Sequence, residues 1–479
     1  MADVIIIGAG PTGLMLAGEL GLRGVDVEVY EKLPTPTGQS RALGLHVRTV
    51  EMLDQRGLLP RFAGTGRKGK LVGHFGGVIS LRFDRLDTSH PYALSTPQAV
   101  TERILADWVA DLGVPIHRGK ELTALRQDAD SVTATFADGA EATAGYLVGC
   151  DGGRSATRKL AGIDFPGESS KRDAFLADVE LTEEAPIGFR VTETGLFGHY
   201  LVDGDVHRVI VTAADVAEDR DVPPPTLVEV AQRARLVIGS DFGMHSPRWL
   251  SRSGTASRLA VSYRDGRVLL AGDAAHIHTP AGGQGLNLGL QDAFNLGWKL
   301  AAQVKGWAPD GLLDSYHAER HAIGASVLAN TRAQAMLMEP DPALDPMREL
   351  LRDLGSYDQV NDHLSEMVSG VGVRYPVGDG NPLLGRRMRD VRLKTADGDT
   401  TLYELTRAGR GVLLDLGDGS LAEVTKPWTG RVEAVTARTD QVTASGLLLR
   451  PDGHVVWVGE EADGAVVALR AWFGSSAHG

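Results

Sequence analysis

The sequence predicts an α/β protein of several parts: a parallel-sheet nucleotide-binding domain, an antiparallel-sheet middle domain and a small α/β tail. Three stretches carry that prediction. The first is Val4-Ile5-Ile6-Ile7, followed by a glycine-rich turn and, further on, Glu31. The second is Arg267-Val-Leu-Leu-Ala271-Gly272-Asp273, another apolar run that ends on a carboxylate. The third is the polar–apolar alternation that replaces such runs between residues 172 and 263.

In chain order, the β-branched run Val4 to Ile7 reads as a strand buried on both faces. It breaks at Gly8-x-Gly10-x-x-Gly13, with Pro11 and Thr12 inside the turn. An amphipathic helix follows, with Leu14, Ala17, Leu20 and Leu22 on its apolar side, and Val25 to Tyr30 alternates into a second strand that meets Glu31. Strand, glycine turn, helix, strand and acid form the Rossmann-like dinucleotide fingerprint in its required context. Gly8 permits the tight turn, Gly10 admits a pyrophosphate to the backbone, and Gly13 lets the helix pack on the strand. The helix N-terminus offers unpaired N–H groups to phosphate, and Glu31 would accept from ribose hydroxyls.

Lys32 to Ser40 is a predicted loop, and His46 to Gln55 a helix. Short alternating runs within 64–96, such as Val78 to Phe83, predict strands of a separate sheet. Pro97-Gln98 opens a helix, Val132–Phe136 and 141–144 form a hairpin across Asp138-Gly139, and Tyr146 to Cys150 is a buried strand that ends at Asp151. The 172–263 region, with one helix from Leu227 to Ile238, is expected to wall a substrate pocket together with Gly73 to Gly77. After Asp273 come helices over 286–305, 312–335 and 342–369, a linker-like PVGDGNP at 376–382, and a tail that restarts as strands and helices. The expected domains are 1–72, 97–171 and 264–387 (with a helical region at 310–370); 73–96 with 172–263; and 388–479.

Composition narrows the class. A net charge of -13 argues against nucleic acid or an anionic membrane as partner. The lone Cys150 excludes an intramolecular disulfide and a cysteine metal cluster, and it fits a cytoplasmic protein without a metal. No apolar run approaches the roughly 18 residues of a membrane helix, and with no basic n-region or cleavage site before the strand at residue 4, no signal peptide is expected. Asp273 at a strand end suits a polyol. The loop Pro280-Ala-Gly-Gly283-Gln-Gly285-Leu286-Asn287 brings backbone close to a flat ligand. The helix after it could stabilise negative charge on a reduced ring system.

These motifs together resemble a known family. Gly8-x-Gly10-x-x-Gly13 with Glu31, Cys150-Asp151-Gly152-Gly153-Arg154-Ser155 with Arg158, and Leu270-Ala-Gly272-Asp273-Ala-Ala-His276 resemble the single-component FAD-dependent aromatic hydroxylases of the para-hydroxybenzoate hydroxylase type. Asp54-Gln-Arg-Gly-Leu58, Pro97-Gln98, Phe165-Pro166-Gly167, His278-Thr-Pro-Ala-Gly-Gly-Gln-Gly285 and Leu313-Asp-Ser-Tyr-His-Ala-Glu-Arg-His321 look like the actinomycete aromatic polyketide hydroxylases, which act on angucycline- or anthracycline-type rings. Rifampicin monooxygenase has similar motifs. The resemblance spans nearly the whole chain.

It implies a Rossmann-like FAD-binding domain, an antiparallel-sheet substrate domain and a thioredoxin-like C-terminal domain, here without Cys-x-x-Cys. It implies FAD at Gly8, Gly10, Pro11, Thr12 and Gly13, with Glu31 on the adenosine ribose and Lys32, Arg41 and Gln98 in contact. Asp151 lies in a motif associated with FAD and NAD(P)H, and Arg158 would support the pyrophosphate region. Asp273 would hold the ribityl chain, with Pro280, Gly283, Gly285, Leu286 and Asn287 beside the isoalloxazine. NADPH (or NADH) and O₂ would be co-substrates, and no second GxGxxG announces a separate nicotinamide domain.

The implied reaction is hydroxylation of a polycyclic aromatic, polyketide-type substrate through a flavin C4a-hydroperoxide, by a monomer or homodimer. Antibiotic inactivation of the rifampicin type and a Baeyer–Villiger or epoxidising outcome are alternatives. A non-catalytic FAD-fold carrier is disfavoured by Asp273 and the glycine-rich loop. His46, Phe75, Tyr200, Pro280 and Ala281 are the candidate substrate contacts, while Phe75, Phe189 and Tyr200 suit a core equally well. His276 and His278 have no derived acid–base role, a lone histidine being more often structural. Cys150, at a buried strand end, reads as packing rather than nucleophile.

Overall fold

The computed structural model describes residues 1–65, 67–68, 73–216 and 223–476, so the expected boundary at residue 72 lies outside the described residues. The first fingerprint folds as read: β1 (Ala2–Ile7), α1 (Pro11–Leu22) and β2 (Val27–Glu31). Then come α2 (Val47–Gln55), α3 (Gln98–Asp111) and β3 (Ile116–Arg118). β4 (Leu122–Gln127), β5 (Val132–Phe136) and β6 (Glu141–Gly149) precede α4 (Ala156–Leu160).

β6 corrects the sequence reading, which split it into a hairpin arm and a separate strand. It is one nine-residue strand with two environments. Its first half pairs antiparallel with β5, Ala142 opposite Ala134. Its second half runs parallel to β1, Val148 opposite Ile6. The change from alternation to an unbroken apolar run marks where the strand passes from the sheet's flank into its core.

The middle sheet is wholly antiparallel. It contains β7 (Asp173–Glu180), β8 (Gly188–Thr192), β9 (Gly195–Asp203) and β10 (Val206–Thr212), then α5 (Leu227–Ile238) and β11 (His245–Gly254). The spatial order is β8-β9-β10-β7-β11. Period-two alternation divides its faces. Phe175, Ala177, Phe197, Val209 and Val211 pack with Val230, Ala234 and Val237 of α5. Their strand neighbours Ala174, Leu176, Leu196, Tyr200, Ile210 and Thr212 face the central cavity.

Residues 73–96, expected as strands separate from the first domain and grouped with the middle domain, do not join the middle sheet. His74–Phe75 pairs with Ile79–Ser80, and Leu94–Ser95 pairs with Gly44–Leu45 and Arg67–Lys68. Ile79, Leu81 and Phe83 bury against Val47, Val368 and Val371. Alternation reports a half-buried strand but carries no information about its partner.

β12 (Val268–Leu270) re-enters the parallel sheet beside β6. The parallel strands thus lie in the order β12-β6-β1-β2-β3. Helices α6 (Gln284–Val304) and α7 (Asp314–Leu337) follow, then α8 (Asp345–Ser356) and α9 (Asp358–Ser369). The last two were expected as one helical region; extended Tyr357 (ψ 131°) separates them. α6 lies directly against α1 because two of its three glycines, Gly289 and Gly297, face that helix. A Cβ at Gly289 would fall 2.4 Å from Thr12 Oγ1, and one at Gly297 2.5 Å from Glu19 Cβ.

The tail builds β13 (Gly411–Asp415), β14 (Val432–Thr436), β15 (Gly446–Leu449) and β16 (Val455–Val458), closed by α10 (Ala462–Phe473). β14 runs parallel to β13, and β15 and β16 add antiparallel on the other side. Among the described residues, no helix is long and apolar enough to cross a membrane.

Candidate active site

A cavity of about 1100 Å³ runs from the glycine turn after β1 to the inner face of the antiparallel sheet. At its first end stands the N-terminus of α1. Gly10 is the N-cap in extended conformation, no side chain caps the helix, and Pro11 fills its first turn. A Cβ on Gly10 would meet nothing within 4 Å, so this face of the turn is open. Gly8 is different. Its φ is +106°, and a Cβ there would lie 2.5 Å from the Cys150 carbonyl oxygen. Gly13 packs on Gly8 and lies outside the cavity lining.

Glu31 closes the turn from β2, accepting from the Ala9 and Leu33 N–H groups at 2.9 Å each. Thr12, Lys32 and Arg41 line the cavity. Gln98 lines it too, but its amide braces the adjoining loop: Oε1 accepts from Ala42 N at 3.2 Å and Nε2 donates to Glu102 at 2.8 Å.

The other end is built on β12 and α6. Asp273 follows β12 and is exposed to the cavity. Left-handed Gly283 (φ +65°) is the N-cap of α6, again with no side-chain cap. Pro280, Ala281, Gly283, Gly285 and Leu286 line this end. Two uncapped helix N-termini therefore border one cavity, with Glu31 near the first and Asp273 near the second. This donor and acceptor set fits a dinucleotide, with N–H groups for phosphate and ring and carboxylates for the sugar and polyol hydroxyls. No group of His, Cys, Asp or Glu among the described residues could hold a metal ion.

Several expected contacts turn out to build the wall instead. Arg158 is not in the lining: it donates to Ala274 O (2.8 Å) and Gly153 O (3.0 Å) and stacks over Phe165. Asp151 lines the cavity, but its carboxylate is engaged by Ser155 Oγ (2.6 Å) and by the Thr157 N–H (3.0 Å) at the start of α4. Asn287 is buried; it accepts from His46 N and Thr49 Oγ1 at 2.8 Å each and donates to Gly44 O at 3.2 Å. Phe75 belongs to the cluster around Ile79 and Val368 rather than to the cavity. Each is polar or aromatic next to a motif, and local pattern does not distinguish a wall from the group behind it.

Of the substrate candidates, His46, Tyr200, Pro280 and Ala281 do line the cavity. Phe189 joins them, edge-on to Tyr200 at 5.5 Å. His46 Nδ1 lies 2.9 Å from the Val368 carbonyl, so that nitrogen carries the proton. Burial lowers its pKa to about 4, which leaves the ring neutral. Burial raises the Cys150 thiol well above its ordinary value, as suits a packing residue.

His74, within the stretch Gly73 to Gly77 expected at the pocket, lines the cavity with Nδ1 accepting from Gly77 N at 3.1 Å, leaving the proton on Nε2. Sequence reasoning missed three groups. Arg208 is buried, paired bidentately with Asp178, and donates to the Ser40 and Arg41 carbonyls. It thereby ties the antiparallel sheet to the loop that carries Arg41. Arg172 and Glu339 form an ion pair at the cavity between the middle sheet and the end of α7. Asp292 of α6 is a hub: it accepts from Gly272 N (3.1 Å), from Arg320 Nε (2.7 Å), and from His276 Nε2 (2.6 Å). Burial alone would raise its pKa, but His276 and Arg320 outweigh burial and hold it below the usual range. His276 thus serves the turn at Gly272. An arginine on a strand's cavity-side alternation was the only available signal for Arg208.

A pH dependence follows. Burial lowers His46 to about 4 and, despite Asp452 beside it, His454 to about 4. Between about pH 4 and 6.5 the unfolded chain therefore binds more protons than the folded one, and stability falls as pH falls through that window. Urea midpoints should be lower at about pH 5 than at about pH 7; equal midpoints would contradict this assignment.

Comparison with known proteins agrees with the geometry. The FAD binding domain family matches residues 1–331, and the C-terminal family of aromatic-ring hydroxylases matches residues 381–476. Rifampicin monooxygenase from Streptomyces venezuelae is 51% identical, covering 100% of both chains. The 12-dehydrotetracycline 5-monooxygenase/anhydrotetracycline 6-monooxygenase of Streptomyces rimosus is 47% identical over 99% of each. The structure of anhydrotetracycline hydroxylase from Streptomyces rimosus superposes with a TM-score of 0.94 at 47% identity, over 99% of this chain and 100% of that one. With its glycine turn, its Asp273 end and its tail all matched along nearly full length, the chain belongs to the FAD-dependent aromatic-ring hydroxylases and is a flavin monooxygenase.

Proposed function

We propose that this enzyme inserts one oxygen atom of O₂ into a polycyclic aromatic, polyketide-type natural product, using NADPH as reductant. The carrying observation is the cavity: one continuous space of about 1100 Å³ joins the α1 and α6 N-termini to the apolar face bearing Leu176, Leu196, Tyr200 and Ile210. Ligand pockets usually span about 300–1,000 Å³, so this one has room for a dinucleotide and a large flat substrate together. When bound, FAD supplies the electron transfer from NADPH and the activation of O₂.

The chain's residues do the rest in this reading. Gly10 and the α1 N–H groups seat the pyrophosphate, Glu31 and Asp273 hold ribose and ribityl hydroxyls, and the loop from Pro280 to Leu286 lies against the ring. The α6 N-terminus stabilises negative charge on that ring. Phe189 and Tyr200 offer aromatic surface to orient the substrate, and neutral His46 keeps a buried cation away from the reacting face. Antibiotic inactivation is a second reading, favoured by the 51% identity to a rifampicin monooxygenase. The enzyme is proposed to act in the cytoplasm as a monomer or homodimer.

The test is product analysis. Purified enzyme is incubated with NADPH and a panel of anthracycline, angucycline, tetracycline and ansamycin compounds. The expected result is substrate-stimulated NADPH oxidation with a product that has gained one oxygen atom. NADPH oxidation that no panel member stimulates, with no oxygenated product, would overturn the substrate assignment. An ansamycin as the sole substrate would select the inactivation reading.

A further inference from the structure

Hairpin turns normally sit in solvent, where water satisfies their polar groups. The turn between β15 and β16, Arg450-Pro-Asp-Gly-His454, is buried throughout, with Arg450 at 0%, Asp452 at 1% and His454 at 4% exposure. It leaves the tail's own sheet and docks among three helices of the FAD domain. Arg450 pairs bidentately with Glu319 of α7 at 2.6 and 2.9 Å. Asp452 accepts from the Trp298 indole N–H (3.3 Å) and from Asn295 (3.4 Å) of α6. The Asp452 carbonyl accepts from Arg48 of α2, and the Pro451 carbonyl from Arg56 just beyond α2, both at 2.8 Å. Lys299 of α6 completes the cluster on Glu319 at 2.8 Å.

Two of these helices start at the cavity. α2 starts at His46 and α6 starts at the loop of Gly282 and Gly283, all cavity-lining. The two starts are tied by Asn287, which binds His46 N and Thr49. The tail turn grips the same helices a second time, at Arg48 in the first turn of α2 and Arg56 just past its end, and at Asn295 and Trp298 in the second half of α6. A buried ion cluster contributes little net stability compared with apolar packing of equal volume; its best-attested use is to specify register. Here the register is that of α6 along α2, which sets where the α6 N-terminus stands relative to His46.

We propose that the tail is a positioning element for the flavin site, acting through the 450–454 turn to hold α2 and α6 in register. It needs no cysteine chemistry, and Cys150, the only cysteine, lies in another domain. Arg450 and Asp452 are positioning residues, since neither lines the cavity.

The experiment compares four full-length variants: Asp452→Asn, Arg450→Lys, Trp298→Phe, and Trp428→Phe as control. Trp428 is buried in the tail, and its indole donates to Gly474 O at 2.8 Å, away from the turn. Each is measured for thermal melting, FAD dissociation constant and visible circular dichroism of the bound flavin. Asp452→Asn and Arg450→Lys should weaken FAD binding about tenfold and change the flavin dichroism, with coupling of NADPH oxidation to product lowered in parallel. Trp298→Phe keeps the packing and should do the same more weakly. Trp428→Phe should lower the melting temperature and leave the flavin readouts unchanged. Wild-type FAD affinity and dichroism in folded Asp452→Asn and Trp298→Phe, or the same flavin change in Trp428→Phe, would overturn the proposal.

Discussion

Gly10→Val is expected to give a folded, colourless protein. Gly10 has φ -79° and ψ -178°, a conformation open to any residue. A Cβ there meets no protein atom within 4 Å, so the fold accommodates a side chain at little cost. The branched side chain would instead project into the cavity at the α1 N-terminus, where the pyrophosphate must approach backbone N–H groups. FAD affinity should fall by at least ~100-fold, about 2.7 kcal/mol at ~1.4 kcal/mol per tenfold. Gly8→Val is the contrasting case: with φ +106° and a Cβ 2.5 Å from the Cys150 carbonyl oxygen, it should fail at folding rather than at binding. Flavin absorbance and thermal melting of the two variants separate the effects. A Gly10→Val protein that purifies yellow would sink the assignment of this turn.

Asp292→Ala should be the most damaging single change outside the cavity. It would leave the buried Arg320 guanidinium without its carboxylate and release Gly272 N and His276 together. Removing one partner of a buried pair costs about 3–5 kcal/mol. Because Gly272 precedes Asp273, FAD binding should weaken as well. Urea unfolding and FAD titration check both parts; Asp292→Asn should recover part of the stability by keeping two hydrogen bonds. A wild-type urea midpoint for Asp292→Ala would show that the hub is dispensable.

Asp292 also illustrates what the sequence alone could not reveal. Its residue type and its place in α6 are ordinary; its importance lies in three partners 16 to 28 residues away in sequence. Asn287 and Arg158 were expected at the cofactor because they stand beside motif residues, yet their side chains point into the wall. The 73–96 strands were legible as strands and not as members of a sheet. The tail was legible only as strands and helices, and the burial of the 450–454 turn comes from its docking.

What the sequence by itself determined was local. The run Val4 to Ile7, the spacing of Gly8, Gly10 and Gly13, Glu31 after β2 and Asp273 after β12 all express backbone rules that act over a few residues. A buried parallel strand must be apolar on both faces, and a turn that admits phosphate must lack side chains. The same holds for the alternation that produced the antiparallel sheet. The tertiary structure alone decided which polar groups reach the cavity and which brace it. Charge pairs such as Arg208–Asp178 and Arg450–Glu319 join segments 30 and 131 residues apart. Their energy depends on burial and mutual geometry, and neither leaves a period in the chain.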